Sequence, residues 1–125
     1  MRITLLMLAV CVMGCDNEIP AEESFEESIL PLFESSCIGC HNAALPEGGL
    51  DLQTDPYSVL LESPSNQSTL PFIQPGDHIQ SYLWHKMNGS QAIAGGAGTN
   101  MPLGEALLED ELQDLEFWIN TGAQP

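Results

Sequence analysis

One short motif constrains this chain more than any other part of its sequence: Cys37-Ile38-Gly39-Cys40-His41. It places two thiols and an imidazole within five positions, and the other cysteines, Cys11 and Cys15, lie near the amino terminus. Such a pattern is compatible with a disulfide, a zinc site, a redox-active thiol pair or the attachment site of a c-type haem. The cellular compartment and the other available ligands distinguish these interpretations.

The amino terminus predicts export. Residues 1–14 have a positive start at Arg2 and an apolar stretch too short to span a bilayer permanently, which is typical of a signal peptide. Gly14 before Cys15 resembles a bacterial lipobox, in which cleavage leaves a diacylated cysteine as the mature amino terminus. We therefore predict lipidation of Cys15, with ordinary secretion as the alternative. Two or more lipid chains would hold the protein on the periplasmic side of a membrane. The sequence does not distinguish the inner from the outer membrane.

The remaining residues 15–125 suffice for one small domain, which we divide into a tether, 15–22, and a domain, 23–125. All eighteen acidic residues follow the signal peptide, whereas Lys86 is the only lysine or arginine there. This charge argues against nucleic-acid binding and against electrostatic adhesion to anionic lipid. It favours either a basic partner protein or simple solubility.

Hydrophobic periodicity and helix-capping residues predict an all-α fold with long loops. Four helices are expected, over residues 23–36, 55–61, 77–89 and 104–121. Asp55 and Asp77 are placed to cap the second and third helices. Apolar stripes are expected at Ile79, Leu83 and Met87 in the third helix, with Tyr82 alongside, and at Leu108, Leu112, Leu115 and Ile119 in the last, flanked by Leu107 and Trp118. Pro31 is expected to kink the first helix.

Export makes the haem interpretation of the motif the strongest. The spacing of Cys37 and Cys40 lets each sulfur form a thioether with one vinyl group of a single porphyrin, and His41 then reaches the iron. A structural zinc ion needs four ligands, and no second closely spaced pair exists. A thioredoxin-like pair follows a strand, and none is predicted here. A disulfide would close a very small loop and add little constraint.

The sixth iron ligand has few candidates after the signal peptide: Met87, Met101, His78 and His85. We favour Met101, because it follows a glycine-rich stretch and precedes a proline. Met87 lies on the apolar stripe of a predicted helix and is expected to fill the core. Both histidines are expected at the surface. Imidazole and thioether ligation raises the reduction potential, which suits electron transfer, and leaves no vacant site for a substrate.

Six motifs follow one another along the chain: Cys37-Ile38-Gly39-Cys40-His41, Glu47-Gly48-Gly49-Leu50-Asp51-Leu52, Gln74-Pro75-Gly76-Asp77, Ser81-Tyr82-Leu83, Met101-Pro102 and Trp118-Ile119-Asn120-Thr121-Gly122-Ala123. In this order they resemble the planctomycete- and myxobacterial-type branch of the cytochrome c family, over residues 25–123. The resemblance implies the cytochrome c fold around one haem c, with the first and last helices in contact. It also implies haem-binding roles for Cys37, Cys40, His41 and Met101, and a proline carbonyl, here from Pro46, that orients the histidine.

The predicted function is one-electron transfer by a lipid-tethered domain with one haem, rather than catalysis. Because lysines are so scarce, the redox partner is expected to dock through a basic surface. Two alternatives remain open. One is a haem-based ligand sensor or an accessory subunit of an oxidase or dehydrogenase, and the other is a structural lipoprotein without haem.

Overall fold

The computed structural model of this protein describes residues 24–125. Within that range the chain forms four α-helices and no strand, which confirms the all-α prediction. The predicted signal peptide, the tether and Cys15 lie outside the described residues. None of the helices in the described part is long and apolar enough to cross a membrane. The helices are α1 (Leu30–Ser36), α2 (Pro56–Glu62), α3 (Tyr82–Asn88) and α4 (Glu109–Asn120).

The first predicted helix forms, but it changes geometry along its length. Ser24 caps it, since its hydroxyl accepts a hydrogen bond from the Glu27 amide at 3.1 Å. A π-helical turn, Phe25–Ile29, then leads into α1, whose second residue is Pro31. Proline lacks an amide hydrogen and its ring crowds the carbonyl four residues earlier, so a wider turn before it relieves the clash. The predicted kink therefore takes the form of a π-helical turn.

Helix α2 forms as predicted and anchors the carboxyl terminus. The Asp55 carboxylate accepts a hydrogen bond from the Ser58 amide at 3.2 Å, and Pro56 occupies the first turn. Tyr57 donates from its hydroxyl to the Ala123 carbonyl at 3.0 Å, and its ring lies 5.3 Å from that of Phe25. The helix thus joins both ends of the described chain.

The third predicted helix is interrupted. Asp77 does act as a cap, accepting a hydrogen bond from the Gln80 amide at 3.2 Å, but it caps only a 3₁₀ turn, His78–Gln80. Ser81 is extended and fully buried, and its hydroxyl donates to the Asp77 carbonyl at 2.9 Å. Because the helix restarts at Tyr82, the predicted burial of Ile79 is wrong: its side chain is 49% exposed.

The last helix is shorter than predicted. It begins at Glu109, not at residue 104, because the Glu111 carboxylate accepts a hydrogen bond from the Leu108 amide at 2.8 Å. Leu108 therefore precedes the helix and is exposed, contrary to prediction. The acidic first turn, Glu109 to Glu111, is favourable at the positive end of the helix dipole.

The core joins the first and last helical segments. Leu115, Trp118 and Ile119 are fully buried, whereas Leu112 is half-buried. The rings of Phe25 and Trp118 lie 5.6 Å apart, an aromatic contact worth about 0.5–1.5 kcal/mol beyond its buried area. The contact between the first and last helical segments, expected from the resemblance, is thus present through the turn Phe25–Ile29.

Candidate functional site

A cleft of about 450 Å³ opens between the end of α1, the loop after it, α3 and the loop before α4. Its wall is mainly apolar, with contributions from Leu50, Leu52, Phe72 and Leu83. The residues predicted to hold the cofactor lie in it together: Cys37, Cys40, His41 and Met101. Met87, the methionine predicted to fill the core, also lines the cleft. Met101 is thereby brought to the cysteine motif across a separation of about sixty residues in sequence.

The two cysteines lie at the point where α1 ends. The amides of Cys40 and His41 both donate to the Cys37 carbonyl, at 3.1 and 3.0 Å, so the motif forms a tight turn. Cys37 is buried, and that burial raises the pKa of its thiol to about 11. Cys40 is exposed. Both are free thiols, so the disulfide alternative is not realised in the structure.

The imidazole of His41 is oriented by the backbone. Its Nδ1 lies 3.0 Å from the Glu47 carbonyl oxygen. A carbonyl only accepts hydrogen bonds, so Nδ1 carries the proton and Nε2 keeps its lone pair. The prediction that the Pro46 carbonyl orients His41 is therefore wrong by one residue. The Pro46 oxygen accepts a hydrogen bond from the Gly49 amide instead, at 2.7 Å.

The two methionines occupy the cleft in different ways. Met87 is only 4% exposed and belongs to the hydrophobic core, as predicted, although it also contributes to the cleft wall. Met101 is half-buried, and its amide donates to the Lys86 carbonyl at 2.9 Å. The structure thus places both thioethers at the cleft, and the choice of Met101 as a ligand stays a prediction.

The predicted surface location of His85 is wrong. The side chain is 6% exposed, its Nε2 lies 2.9 Å from the Ile79 carbonyl oxygen and its Nδ1 lies 2.7 Å from the Ser90 hydroxyl. The restart of the helix at Tyr82 puts His85 one turn later on the same buried face. His85 is therefore a core residue with both ring nitrogens in hydrogen bonds, and it does not line the cleft.

His78 is not a free surface residue either. Its Nδ1 lies 2.9 Å from Asn120 Oδ1, its Nε2 lies 3.6 Å from a Glu116 carboxylate oxygen, and its ring packs on Trp84 with centroids 4.7 Å apart. These contacts join the 3₁₀ turn to α4, away from the cleft. In residues 24–125 no group of three or more His, Cys, Asp or Glu side chains is arranged to hold a metal ion.

Polar residues that were not predicted for the site also line the cleft, among them Gln67, Tyr82 and Lys86. The Tyr82 hydroxyl donates to Gln67 Oε1 at 3.0 Å, and the Lys86 ammonium donates to the Ala97 carbonyl at 2.8 Å. Burial raises the pKa of Tyr82 and lowers that of Lys86, because both charged forms are disfavoured in an apolar wall. Their spacing on α3 offered a signal, since residues 82, 83, 86 and 87 share one helical face.

The cleft of this small helical domain gathers a Cys-x-x-Cys-His turn and a distant methionine, which are the ligand types that proteins with haem c use. Residues 37–93, slightly less than half of the chain, match the model of a family described as Planctomycete cytochrome C, and this match supports a cytochrome c family domain in that part of the chain. A cytochrome c domain suggests haem-based electron transfer with a covalently bound haem c, and such domains are typically extracytoplasmic. No curated protein and no solved structure shows a significant match to the chain.

Proposed function

We propose that this protein is a one-electron carrier with a single haem c, bound through Cys37 and Cys40 and ligated by His41 and Met101. One observation carries the proposal: these four side chains line the same cleft, although Met101 is supplied by a different loop. The family match to residues 37–93 supports the general class. The arrangement further favours the cytochrome c fold, with the first and last helical segments in contact at Phe25 and Trp118.

The residues of the cleft fit a haem. Its volume of about 450 Å³ lies within the range of roughly 300–1,000 Å³ typical of cofactor pockets, and its lining is largely apolar. The Cys37 and Cys40 thiols would each add S–H across one vinyl C=C, which forms one C–S and one C–H bond with no leaving group and no oxidant. The haem iron, when bound, supplies a centre that accepts and returns one electron.

The protein orients the imidazole of His41 and surrounds the cofactor with mainly apolar side chains. The Glu47 carbonyl holds Nδ1 of His41 and leaves Nε2 available as a ligand. Leu52 secures the same residue, because its amide donates to the His41 carbonyl at 2.9 Å. If His41 and Met101 both ligated the iron, no coordination position would remain for a substrate, which supports electron transfer rather than catalysis.

The proposal extends to location and partners. We infer a lipid anchor at Cys15 after removal of residues 1–14, which would hold the domain on the periplasmic side of a bacterial membrane. Lys86, the only lysine or arginine after Arg2, is used inside the cleft. The charged side chains on the outer surface of the domain are therefore acidic, which favours a redox partner with a basic docking surface.

The decisive experiment is mass spectrometry with optical redox titration of the full chain produced in a bacterium able to attach haem c. We expect the mass of the processed, acylated polypeptide plus one haem, and a reversible one-electron transition. The variant Cys37→Ala/Cys40→Ala should lose the haem and show no cooperative thermal transition of normal size, since the cleft is then unfilled. Thr69→Ala, on an exposed residue, serves as the control. A colourless wild-type protein with no added haem mass would exclude the proposed function.

A further inference from the structure

The most unusual charge in this protein is that of Lys86. It is the only lysine or arginine after Arg2, against eighteen acidic residues, yet its side chain is half-buried in the cleft wall. A lysine normally keeps its ammonium in water, since desolvation is costly. The position of this one along the cleft wall therefore needs a local reason.

The contacts of Lys86 supply that reason. Its Nζ donates to the Ala97 carbonyl at 2.8 Å, and its own carbonyl accepts a hydrogen bond from the Met101 amide at 2.9 Å. One residue of α3 thus holds the loop at two points, four residues apart, and the second point is Met101 itself. A hydrogen bond from a charged donor is roughly twice as strong as one between neutral groups.

The glycine-rich loop has other contacts, since the Ser68 hydroxyl donates to the Ala94 carbonyl at 2.5 Å and Tyr82 hydrogen-bonds the Ala97 backbone. The remaining hydrogen bonds near Gly96 and Gly98 lie within the loop. The Gln91 side-chain amide donates to the Gly98 carbonyl at 3.0 Å, and the Gly96 amide donates to the Gln91 carbonyl at 2.8 Å. Both bonds join the loop to itself, whereas the two Lys86 bonds join it to a helix. Glycine-rich segments lose much conformational entropy on ordering, so such an attachment has a strong effect on where Met101 lies.

We propose that Lys86 is a positioning residue that fixes the 97–101 loop on α3 and thereby holds the Met101 thioether on the haem iron. This inference rests on the proposed function, since it takes Met101 as the sixth ligand. In this role Lys86 acts through Met101 and is not itself an iron ligand. Its effect is to lower the population of states in which the loop opens and the iron accepts a different ligand.

The test compares holoproteins of confirmed haem mass: wild type, Lys86→Met, Lys86→Arg and Thr99→Ala. The readouts are the absorption band of methionine sulfur bound to ferric iron and the Kd of added imidazole, which competes with Met101. We expect Lys86→Met to weaken the band and to bind imidazole about ten-fold more tightly, a change that corresponds to ~1.4 kcal/mol. Lys86→Arg, which keeps a charged donor, should stay within about three-fold of wild type. Thr99→Ala, on an exposed residue of the same loop, should match wild type.

If Lys86→Met does not accumulate, Lys86→Gln gives the same comparison, because it removes the charge and shortens the donor. Equal imidazole affinity in the wild type and in either neutral variant would overturn the positioning role and leave the proposed function intact. A separate result identifies failure of the ligation itself: if Met101→Ala leaves the wild-type spectrum unchanged, Met101 is not the ligand, and the inference about Lys86 fails with it.

Discussion

Nδ1 of His41 lies 3.0 Å from the carbonyl oxygen of Glu47, six residues further along the chain. The carbonyl belongs to a short turn, Glu47–Gly49, in which Gly48 and Gly49 both have positive φ, of 65° and 78°. This turn folds the chain back so that a backbone oxygen, which no side-chain substitution can remove, sets the tautomer of the imidazole.

The first prediction concerns this turn. Gly49→Ala places a Cβ at a left-handed position, which costs about 1–2 kcal/mol, and so loosens the turn that presents the Glu47 carbonyl. We expect lower thermal stability of the holoprotein and faster solvent exchange of the His41 Nδ1 proton, measured by NMR. Gly39→Ala is the matched control, since its φ is not positive and its Cβ meets no atom within 4 Å. Unchanged proton exchange in Gly49→Ala would show that the turn does not hold the imidazole.

The two cleft methionines should respond in opposite ways. Met101→Ala is expected to abolish the methionine-to-iron absorption band with a modest loss of stability, because its side chain is half-buried. Met87→Ala is expected to keep the band but to lower the free energy of unfolding by about 2–5 kcal/mol, because its side chain is 4% exposed in the core. Optical spectra and denaturant unfolding distinguish the two. Loss of the band in Met87→Ala alone would assign the ligand to Met87.

A close approach between Gly96 and Tyr82 gives the third prediction. A Cβ at position 96 would lie 2.5 Å from Tyr82 Cε2 and 2.7 Å from Cζ, closer than real Cβ atoms come. Gly96→Ala should therefore destabilise the protein by about 1–3 kcal/mol, measured by thermal unfolding. In a Tyr82→Ala background the same substitution should have little effect, since the ring is gone. Equal costs in both backgrounds would mean that the ring is not the obstacle.

The fourth prediction concerns the pH dependence of stability. Asp51 accepts a hydrogen bond from the Thr54 hydroxyl at 2.6 Å and one from the Gln53 amide at 2.9 Å, and these bonds lower the pKa of its carboxyl. A lowered pKa in the folded state means that the stabilisation is fully present above the ordinary value of ~3.9 and is lost as the pH falls through the folded-state pKa. Thr54→Val should raise the pKa of Asp51 toward its ordinary value, as followed by NMR titration.

The same variant should unfold in acid at a higher pH than wild type. Thr69→Val, on an exposed threonine, provides the control for loss of a hydroxyl at the surface. An Asp51 titration that is identical in Thr54→Val and wild type would show that the hydroxyl contributes nothing to the shift.

Local signals predicted the helices whose ends depend on nearby residues. Asp55 with Pro56 marked the start of α2, and Gly89, with φ of 77°, closes α3 as expected. Where a boundary depends on which of several possible local hydrogen bonds forms, prediction failed. Ser81 interrupts the third helix because its hydroxyl bonds backbone groups before it, and Leu108 lies outside α4 because Glu111 caps that helix.

The candidate site likewise has features that the sequence predicted and features that it did not. The Cys37 to His41 turn is local chemistry and was recognised from five residues, since spacing alone sets which side chains meet. The sequence did not predict three features of the structure. They are the burial of His85, the use of the Glu47 carbonyl in place of that of Pro46, and the inward direction of Lys86. Each depends on the three-dimensional path of the backbone and on what packs over the side chain, neither of which the spacing of residues in the sequence specifies. The meeting of Met101 with the cysteine turn in one cleft is of this second kind.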